Sequence, residues 1–374
     1  MECPYLSLPE TSWWRHAVGS REIDQIDPFI GQSLIIDRVT RIASAGSCFA
    51  QHVSNALHNR GYSYLVAEKA PPSLPLETAR RYSYGIFSAR YGNIYSTLQL
   101  RQLIERALGK YQPVDQTWQD PNGRFFDLLR PRIVPNGFAS RDELEADLRY
   151  HLSRVVWMFQ NAQVFVFTLG LTETWLSTQD GTAYPTCPGC NNAGEFDPQK
   201  YRFQNAKYGE VVEHLLGAIQ ALKEINPQLQ IILTVSPVAL AATMARRHVL
   251  EASVYSKSVL RAAAEEAREC FENVHYFPSY ELITSTGMTN VFFEADRRSV
   301  SPLGVSRAMN CFFRQFAGER EVSPLAAYSR NMEFEKNCAD QHQVAQPVVC
   351  DEDEFYRALA GASAKPAPDN PDQA

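Results

Sequence analysis

A chain of 374 residues is long enough to bury a full core and to hold one large domain or two ordinary ones. Apolar residues make up 45% and aromatics 11%, as in ordinary globular proteins, and the net charge of -6 gives no electrostatic reason to expect a nucleic-acid partner. No apolar run approaches the roughly 20 residues that a membrane span requires, and Met1-Glu2-Cys3-Pro4 lacks the basic start and apolar core of a signal peptide, so a cytoplasmic location is expected.

In chain order, residues 1–38 are aromatic and proline-marked, with Trp13-Trp14 and Pro28-Phe29, and have no clean periodicity; they are expected to be an N-terminal extension packed on the core. Short apolar, β-branched or aromatic runs then recur at Thr40 to Ala45, Gln163 to Leu169, Gln230 to Val235 and Val274 to Phe277. Each is too short for an independent helix and reads as a strand buried on both faces. Helical periodicity is predicted at about 49–60, 96–109, 141–160, 208–225, 247–270 and 301–317. Strand followed by helix, repeated, implies a three-layer α/β/α fold with a mostly parallel central sheet. Ser140 with Glu143 has the spacing of a capping box, and Ser301 before Pro302 sets a cap residue ahead of a first-turn proline. The core domain is expected over 39–318, with 176–205, rich in glycine and proline, inserted as a long loop. Residues 319–374 are expected to be a C-terminal extension ending in a disordered, proline-rich tail.

In an open α/β sheet, ligands bind beyond the carboxyl ends of the strands. That rule selects Gly46-Ser47-Cys48, the stretch from Gly170 through Thr172 and Glu173 to Trp175, Ser236-Pro237, and the stretch from Pro278 toward Asp296. In the first of these, a strand stops at a glycine and two nucleophiles follow, ahead of a helix carrying Phe49, Val53 and Leu57 on one face. Backbone N–H groups and the dipole at a helix start favour a thiolate or an oxyanion there. A helix cap beside a buried thiol is the plainer account of the same pair.

Gly46-Ser47-Cys48-Phe49-Ala50 resembles the five-residue signature of the GSCFA family, a group placed among the SGNH/GDSL hydrolase-like folds, whose layers are flavodoxin-like. Tyr91-Gly92-Asn93-Ile94-Tyr95, Thr168-Leu169-Gly170-Leu171-Thr172-Glu173, Thr234-Val235-Ser236-Pro237-Val238 and Tyr255-Ser256-Lys257-Ser258-Val259-Leu260-Arg261 are similar to further blocks of that family in the same order. The resemblance covers roughly residues 25–317.

The Gly-Asp-Ser turn of SGNH hydrolases sets the nucleophile third, which implies Cys48, with Ser47 as nucleophile if the overlay slides by one residue. The resemblance implies oxyanion donors at Gly92 and Asn93 and a further donor at Gly170 with Thr172. Glu173 is implied as either an acid/base group or a hydrogen-bond anchor. Where SGNH enzymes carry Asp-x-x-His, this chain has Asp296-Arg297-Arg298-Ser299, so the histidine is replaced. A serine does not act as a base near neutral pH, which leaves His52, four residues after Cys48, and His248, beyond Ser236-Pro237, as candidates. Lys257 and Arg261, with Arg297 and Arg298, are candidates for holding an anionic substrate or a coenzyme phosphate; solvated helix faces look the same.

Cys187-Pro188-Gly189-Cys190 has the spacing of half a zinc site or a redox pair, but no second half follows at usual spacing, so no metal or other cofactor is expected beyond acyl-coenzyme A as a co-substrate. These readings favour an acyl-ester hydrolase or O-acyltransferase acting on a small-molecule or glycan ester. A catalytically silent module that binds a glycan or acylated ligand is the alternative, and a redox or zinc protein is a third possibility. Oligomeric state is not encoded in any of these features.

Overall fold

A computed structural model of the chain describes residues 3–31, 34–190, 193–285, 289–319 and 351. Apart from Glu319 and Asp351, the expected C-terminal extension and its tail lie outside the described residues, as do Cys338 and Cys350. The strands are β1 (Ile42–Gly46), β2 (Thr117–Gln119), β3 (Phe125–Asp127), β4 (Val164–Leu169), β5 (Glu173–Ser177), β6 (Ala183–Tyr184), β7 (Tyr201–Asn205), β8 (Gln230–Val235) and β9 (Val274–Phe277). The α-helices are α1 (Ala50–Asn59), α2 (Leu76–Arg81), α3 (Thr97–Ala107), α4 (Arg141–Asn161), α5 (Tyr208–Ile225), α6 (Val249–Cys270), α7 (Ser279–Thr284), α8 (Thr289–Phe292) and α9 (Pro302–Ala317).

The four expected strands form one parallel sheet in the order β1-β4-β8-β9. One row of register partners, Ala45, Phe167, Leu233 and Tyr276, crosses all four. Tyr64 extends the outer edge of β1 with a single parallel bridge to Ile42. Successive side chains of a strand point to opposite faces, and here both faces are covered, which is why the runs read as continuously apolar. Ala43, Ala45, Phe165, Phe167, Ile231 and Leu233 pack with Leu103 of α3, Phe159 of α4, Leu215 of α5 and Leu260 of α6. Ile42, Val164, Val166, Ile232 and Phe277 pack with Val53 of α1, Ile283 of α7 and Phe312 of α9. The chain is thus a three-layer α/β/α fold.

Helix starts follow the sequence signals. Ser301 accepts from the Gly304 N–H (3.2 Å), with Pro302 in the first turn. Ser140 accepts from the Glu143 N–H (3.1 Å), but the Glu143 carboxylate reaches Ala139 N–H (2.7 Å) rather than its own cap residue, so the reciprocal half of that box is shifted by one. The complete box is at α3, between Ser96 and Gln99.

The stretch expected as a long loop carries the end of β5 with β6 and β7, which pair as a three-stranded antiparallel sheet, β6-β5-β7, between irregular connections. Glycine and proline punctuate its turns and masked the alternation of the short strands between them. Tyr184, Tyr201 and Ala193 bury a small separate core with Phe126 and Leu128, which follow from the β2-β3 hairpin. Part of the N-terminal segment lies against α9: the Ile36 N–H donates to the Phe316 carbonyl (2.7 Å), Arg314 pairs with Asp27 (2.6 Å), and Ile23, Ile26 and Leu34 pack on the α9 side of the core, whereas Pro4–Ser7, Glu10–Ser12 and Arg15–Gly19 bury no residue.

Candidate active site

The turn after β1 is forced by close packing. Gly46 has φ +142°, and a Cβ there would lie 2.4 Å from the Thr168 carbonyl oxygen of β4, so a side chain is excluded on two grounds. The Ser47 N–H then donates to the same Thr168 oxygen (3.2 Å), and i to i+3 bonds from Ala50, Gln51 and His52 wind the chain into α1. Ser47 and Cys48 are both buried. The Ser47 side chain packs against Gly170, where an added Cβ would meet Ser47 Cβ at 3.0 Å, and its hydroxyl oxygen is buried without a hydrogen-bond partner.

Three strand-end segments are laced around this turn. The Ile94 N–H donates to the Gly46 carbonyl (2.8 Å), which draws Gly92, Asn93 and Tyr95 across the end of β1. The Tyr95 carbonyl accepts from the N–H groups of Gly170 (3.1 Å) and Leu171 (2.9 Å), which ties in the end of β4. Helix α6 secures the same end from beneath: Ser256 Oγ accepts from the Thr172 N–H (3.0 Å) and the buried Lys257 ammonium donates to the Gly170 carbonyl (2.7 Å). One turn earlier on that helix, Ser253 Oγ accepts from the Leu240 N–H (3.1 Å) in the loop after β8.

Asn93 faces a cleft of about 480 Å³, counting its open mouth, that is lined also by Gln51, Gly92, Arg130, Arg132 and Asp351. Asn93 Nδ2 donates to Asp351 Oδ2 (2.9 Å), and its Oδ1 accepts from Gln51 Nε2 (3.2 Å). Because a carboxylate only accepts, the amide orientation is fixed: the NH2 faces the cleft and the oxygen faces α1.

The other expected residues are engaged elsewhere. The N–H groups of Gly170 and Thr172 serve Tyr95 and Ser256, and the Thr172 hydroxyl donates to Asn205 (2.7 Å), so these donors hold the scaffold. Ser236 Oγ accepts from the Val238 N–H (3.3 Å). Glu173 accepts from the Thr243 hydroxyl (2.5 Å), and burial raises its pKa against that bond. His248 is exposed and caps α6 through Nδ1, which accepts from the Leu250 N–H (3.2 Å). His52 packs its ring on Phe49, with centroids 5.4 Å apart, and burial lowers its pKa to about 4, so it is a neutral imidazole at physiological pH. Asp296 accepts from the Ser299 hydroxyl (2.6 Å) and from the Arg298 and Ser299 N–H groups (2.9 Å each). Burial works to raise its pKa, but these bonds hold it below the ordinary carboxylate value. Among the described residues, no imidazole is hydrogen-bonded to Ser47 or Cys48. Arg261 is paired with Glu265 (2.8 Å) and Glu281 (2.7 Å) over the Tyr276 ring, and Arg298 donates to the Ala239 carbonyl (3.0 Å).

Family assignment follows from the whole core rather than from the turn alone. The family model described as GSCFA family matches residues 41–312, from the start of β1 into α9. The chain belongs to the GSCFA family. No curated protein matches the chain. Among solved structures, the GSCFA chain is similar to a family 3 carbohydrate esterase of Clostridium thermocellum, with 10% identity and a TM-score of 0.32 over 74% of this chain and 94% of that one. A carbohydrate esterase family 3 protein from Talaromyces cellulolyticus gives 10% identity and a TM-score of 0.34 over 73% and 94% of the two chains. The acetyl xylan esterase Est2A of Butyrivibrio proteoclasticus gives 13% and 0.29 over 75% and 65%.

Several residues in or beside the candidate cleft carry no chemical signal of their own in the sequence. Gln51, Tyr95, Arg132 and Asp351 meet only through the fold, Asp351 being 258 positions from Asn93 and 219 from Arg132. Behind them lies a buried polar cluster. His151 Nδ1 and the Arg90 N–H both meet Glu68 Oε2 at 2.6 Å, and Arg130 pairs with Asp127 (2.8 Å) and Asp147 (2.9 Å). Burial works against a charged Glu68, but His151, Arg130 and the Arg90 N–H outweigh it and lower its pKa to about 2. Burial and the nearby Arg130 lower the His151 pKa against the pull of the Glu68 carboxylate. Cys187 and Cys190 sit on the β6-β7 connection. The Cys187 thiol's hydrogen bond lowers the Cys190 pKa to about 7, while that bond and burial raise that of Cys187. Among the described residues, no group of three or more His, Cys, Asp or Glu side chains is arranged to hold a metal, and no helix is long and apolar enough to cross a membrane.

Proposed function

We propose that this GSCFA protein acts on acyl esters of a small molecule or a glycan, through Cys48 as nucleophile and Asn93 as oxyanion donor. The observation that carries the reading is the Asn93 amide, which is aimed into a cleft by Gln51 and tied to the nucleophile turn by the Ile94 to Gly46 hydrogen bond. Such preorganised donors are worth most where charge develops in the transition state.

Cys48 is preferred to Ser47 on two grounds. The Ser47 hydroxyl oxygen is buried, and the side chain that carries it is packed through its Cβ against Gly170. A thiol is also the intrinsically stronger nucleophile near neutral pH, whereas a serine hydroxyl needs an adjacent general base. In the reaction, the Cys48 sulfur bonds the acyl carbon, the ester C–O bond breaks, and the thiol proton leaves with the alcohol. Water then cleaves the thioester to a carboxylic acid and regenerates the thiol; an acceptor hydroxyl in place of water gives acyl transfer.

The Asp296 to Ser299 hydrogen bond favours a second reading, a module that binds an acylated ligand without turning it over, because the carboxylate of the usual acid-base pair is capped by the residue that replaces its histidine. Intact mass after exposure to p-nitrophenyl acetate separates the two. The first reading expects a +acetyl species that persists in Ser47→Ala and disappears in Cys48→Ala. Labelling unchanged in both variants, or none in the native chain, sinks the covalent mechanism.

A further inference from the structure

The candidate cleft already holds an anion. Asp351 is buried, and its carboxylate lies in a cradle of three donors: Asn93 Nδ2 and the Tyr95 hydroxyl reach Oδ2 at 2.9 Å each, and Arg132 Nη1 reaches Oδ1 at 2.9 Å. Both carboxylate oxygens are therefore engaged, one through a charge-assisted bond. A second observation marks the same place as receptive to acceptors. Arg130 lines the cleft with its side chain 2% exposed; its Nε and Nη2 are paired with Asp127 and Asp147, but its Nη1 is buried without a hydrogen-bond partner. A guanidinium brings five N–H donors, and leaving one buried and unmatched is unfavourable unless a ligand completes it.

The geometry relates this cradle to the reacting turn. Tyr95 and Asn93 flank Ile94, whose N–H is bonded to the Gly46 carbonyl, so an anion on Tyr95 and Arg132 stands next to the oxyanion donor rather than in a remote groove.

We propose that Tyr95 and Arg132, with Asn93 at their inner edge, form a carboxylate subsite, that the ester substrate carries a carboxylate there, and that Asp351 is an internal competitor displaced on binding. This inference rests on the ester-directed reading of the cleft. It adds a requirement that the reading alone does not contain: the substrate is anionic, despite the chain's net charge of -6, because the cleft supplies local cations.

Titration calorimetry of the full-length protein tests it with monomethyl succinate and with methyl succinamate, in which an amide of similar size replaces the carboxylate. The native chain should prefer the carboxylate by at least about tenfold. Asp351→Ala should bind monomethyl succinate about tenfold or more tighter than the native chain, with little change for methyl succinamate. Adding Arg132→Gln should abolish that gain. If Asp351→Ala does not fold, Asp351→Asn, which keeps the volume, is read in the same way. Equal binding of the two probes, no tightening on removal of the Asp351 carboxylate, or indifference to Arg132→Gln overturns the proposal. Labelling by p-nitrophenyl acetate, a neutral ester, reports separately on the ester reading. Labelling without a carboxylate preference overturns only the subsite, and a carboxylate preference without labelling overturns only the covalent mechanism.

Discussion

Replacing Gly46 by alanine tests whether the turn after β1 is set by contact between β1 and β4. The new Cβ would lie 2.4 Å from the Thr168 carbonyl oxygen, 2.7 Å from its nitrogen and 2.8 Å from its Cβ. Two of these three are main-chain atoms at the last pair of the β1–β4 ladder, so relief requires the strands to part where Gly46 and Thr168 are register partners. Overpacking of this kind costs about 1 to 3 kcal/mol, and holding a non-glycine residue at φ +142° adds about 1 to 3 kcal/mol. Parting the strands also weakens the Ser47 N–H to Thr168 bond, worth about 1 kcal/mol. The total is about 3 to 7 kcal/mol. Gly92→Ala is the control: Gly92 also has positive φ, at +71°, but an added Cβ there meets nothing within 4 Å, so only a backbone cost of about 1 to 2 kcal/mol is expected. Urea unfolding of the two variants beside the native chain measures the gap through the midpoint at constant slope. If Gly46→Ala is destabilised by no more than about 1 kcal/mol beyond Gly92→Ala, the packing argument for this turn is wrong.

Acid should destabilise the protein partly through Glu68, because its folded pKa of about 2 lies below the ordinary value of 4.5. The unfolded chain then binds the proton first, so this contribution, about 3 kcal/mol, is complete above about pH 4.5 and is lost as pH falls toward 2. His151, also lowered, starts the decline below its ordinary 6.5; Glu68→Gln should flatten the pH 5 to 3 limb of urea-derived stability, and an unchanged limb would count against the assignment. Alkylation of Cys190 by iodoacetamide, followed by peptide mass, should have its midpoint near pH 7 and move upward in Cys187→Ala, since the donated hydrogen bond is lost; an unmoved midpoint contradicts that cause. Lys257→Met should cost about 1 to 3 kcal/mol by leaving the Gly170 carbonyl short of its buried donor, and a neutral result in urea unfolding would show the bond to be dispensable.

The layers of this fold were legible because the four central strands are buried on both faces and so read as nearly continuous apolar runs, as in Val164 to Phe167. The antiparallel β5-β6-β7 sheet was not, because Gly181, Pro185 and Gly194 dominate a stretch whose strands are only two to five residues long. At the site, the Gly46 turn was visible as small residues following an apolar run, and the Asn93 loop only through the family resemblance. Arg132 and Asp351 were invisible for the opposite reason: each is an ordinary charged residue locally, and their meaning arises from a contact spanning 219 positions. The Glu68 and His151 pair, 83 positions apart, was hidden in the same way. His248 had a reading available from sequence alone, since a polar residue immediately ahead of a helical pattern is in the place of a cap.

Along α6, Ser253, Ser256 and Lys257 occupy one face and hold the loops after β8 and β4 at the same time. The helix therefore works as a jig: its rotation or axial slip carries both loops together, and neither can be re-aimed alone. Any attempt to reshape this end of the sheet by exchanging a single loop has to keep α6 with it, so the transplantable unit is the strand, loop and helix as one module, rather than the variable segment at its tip.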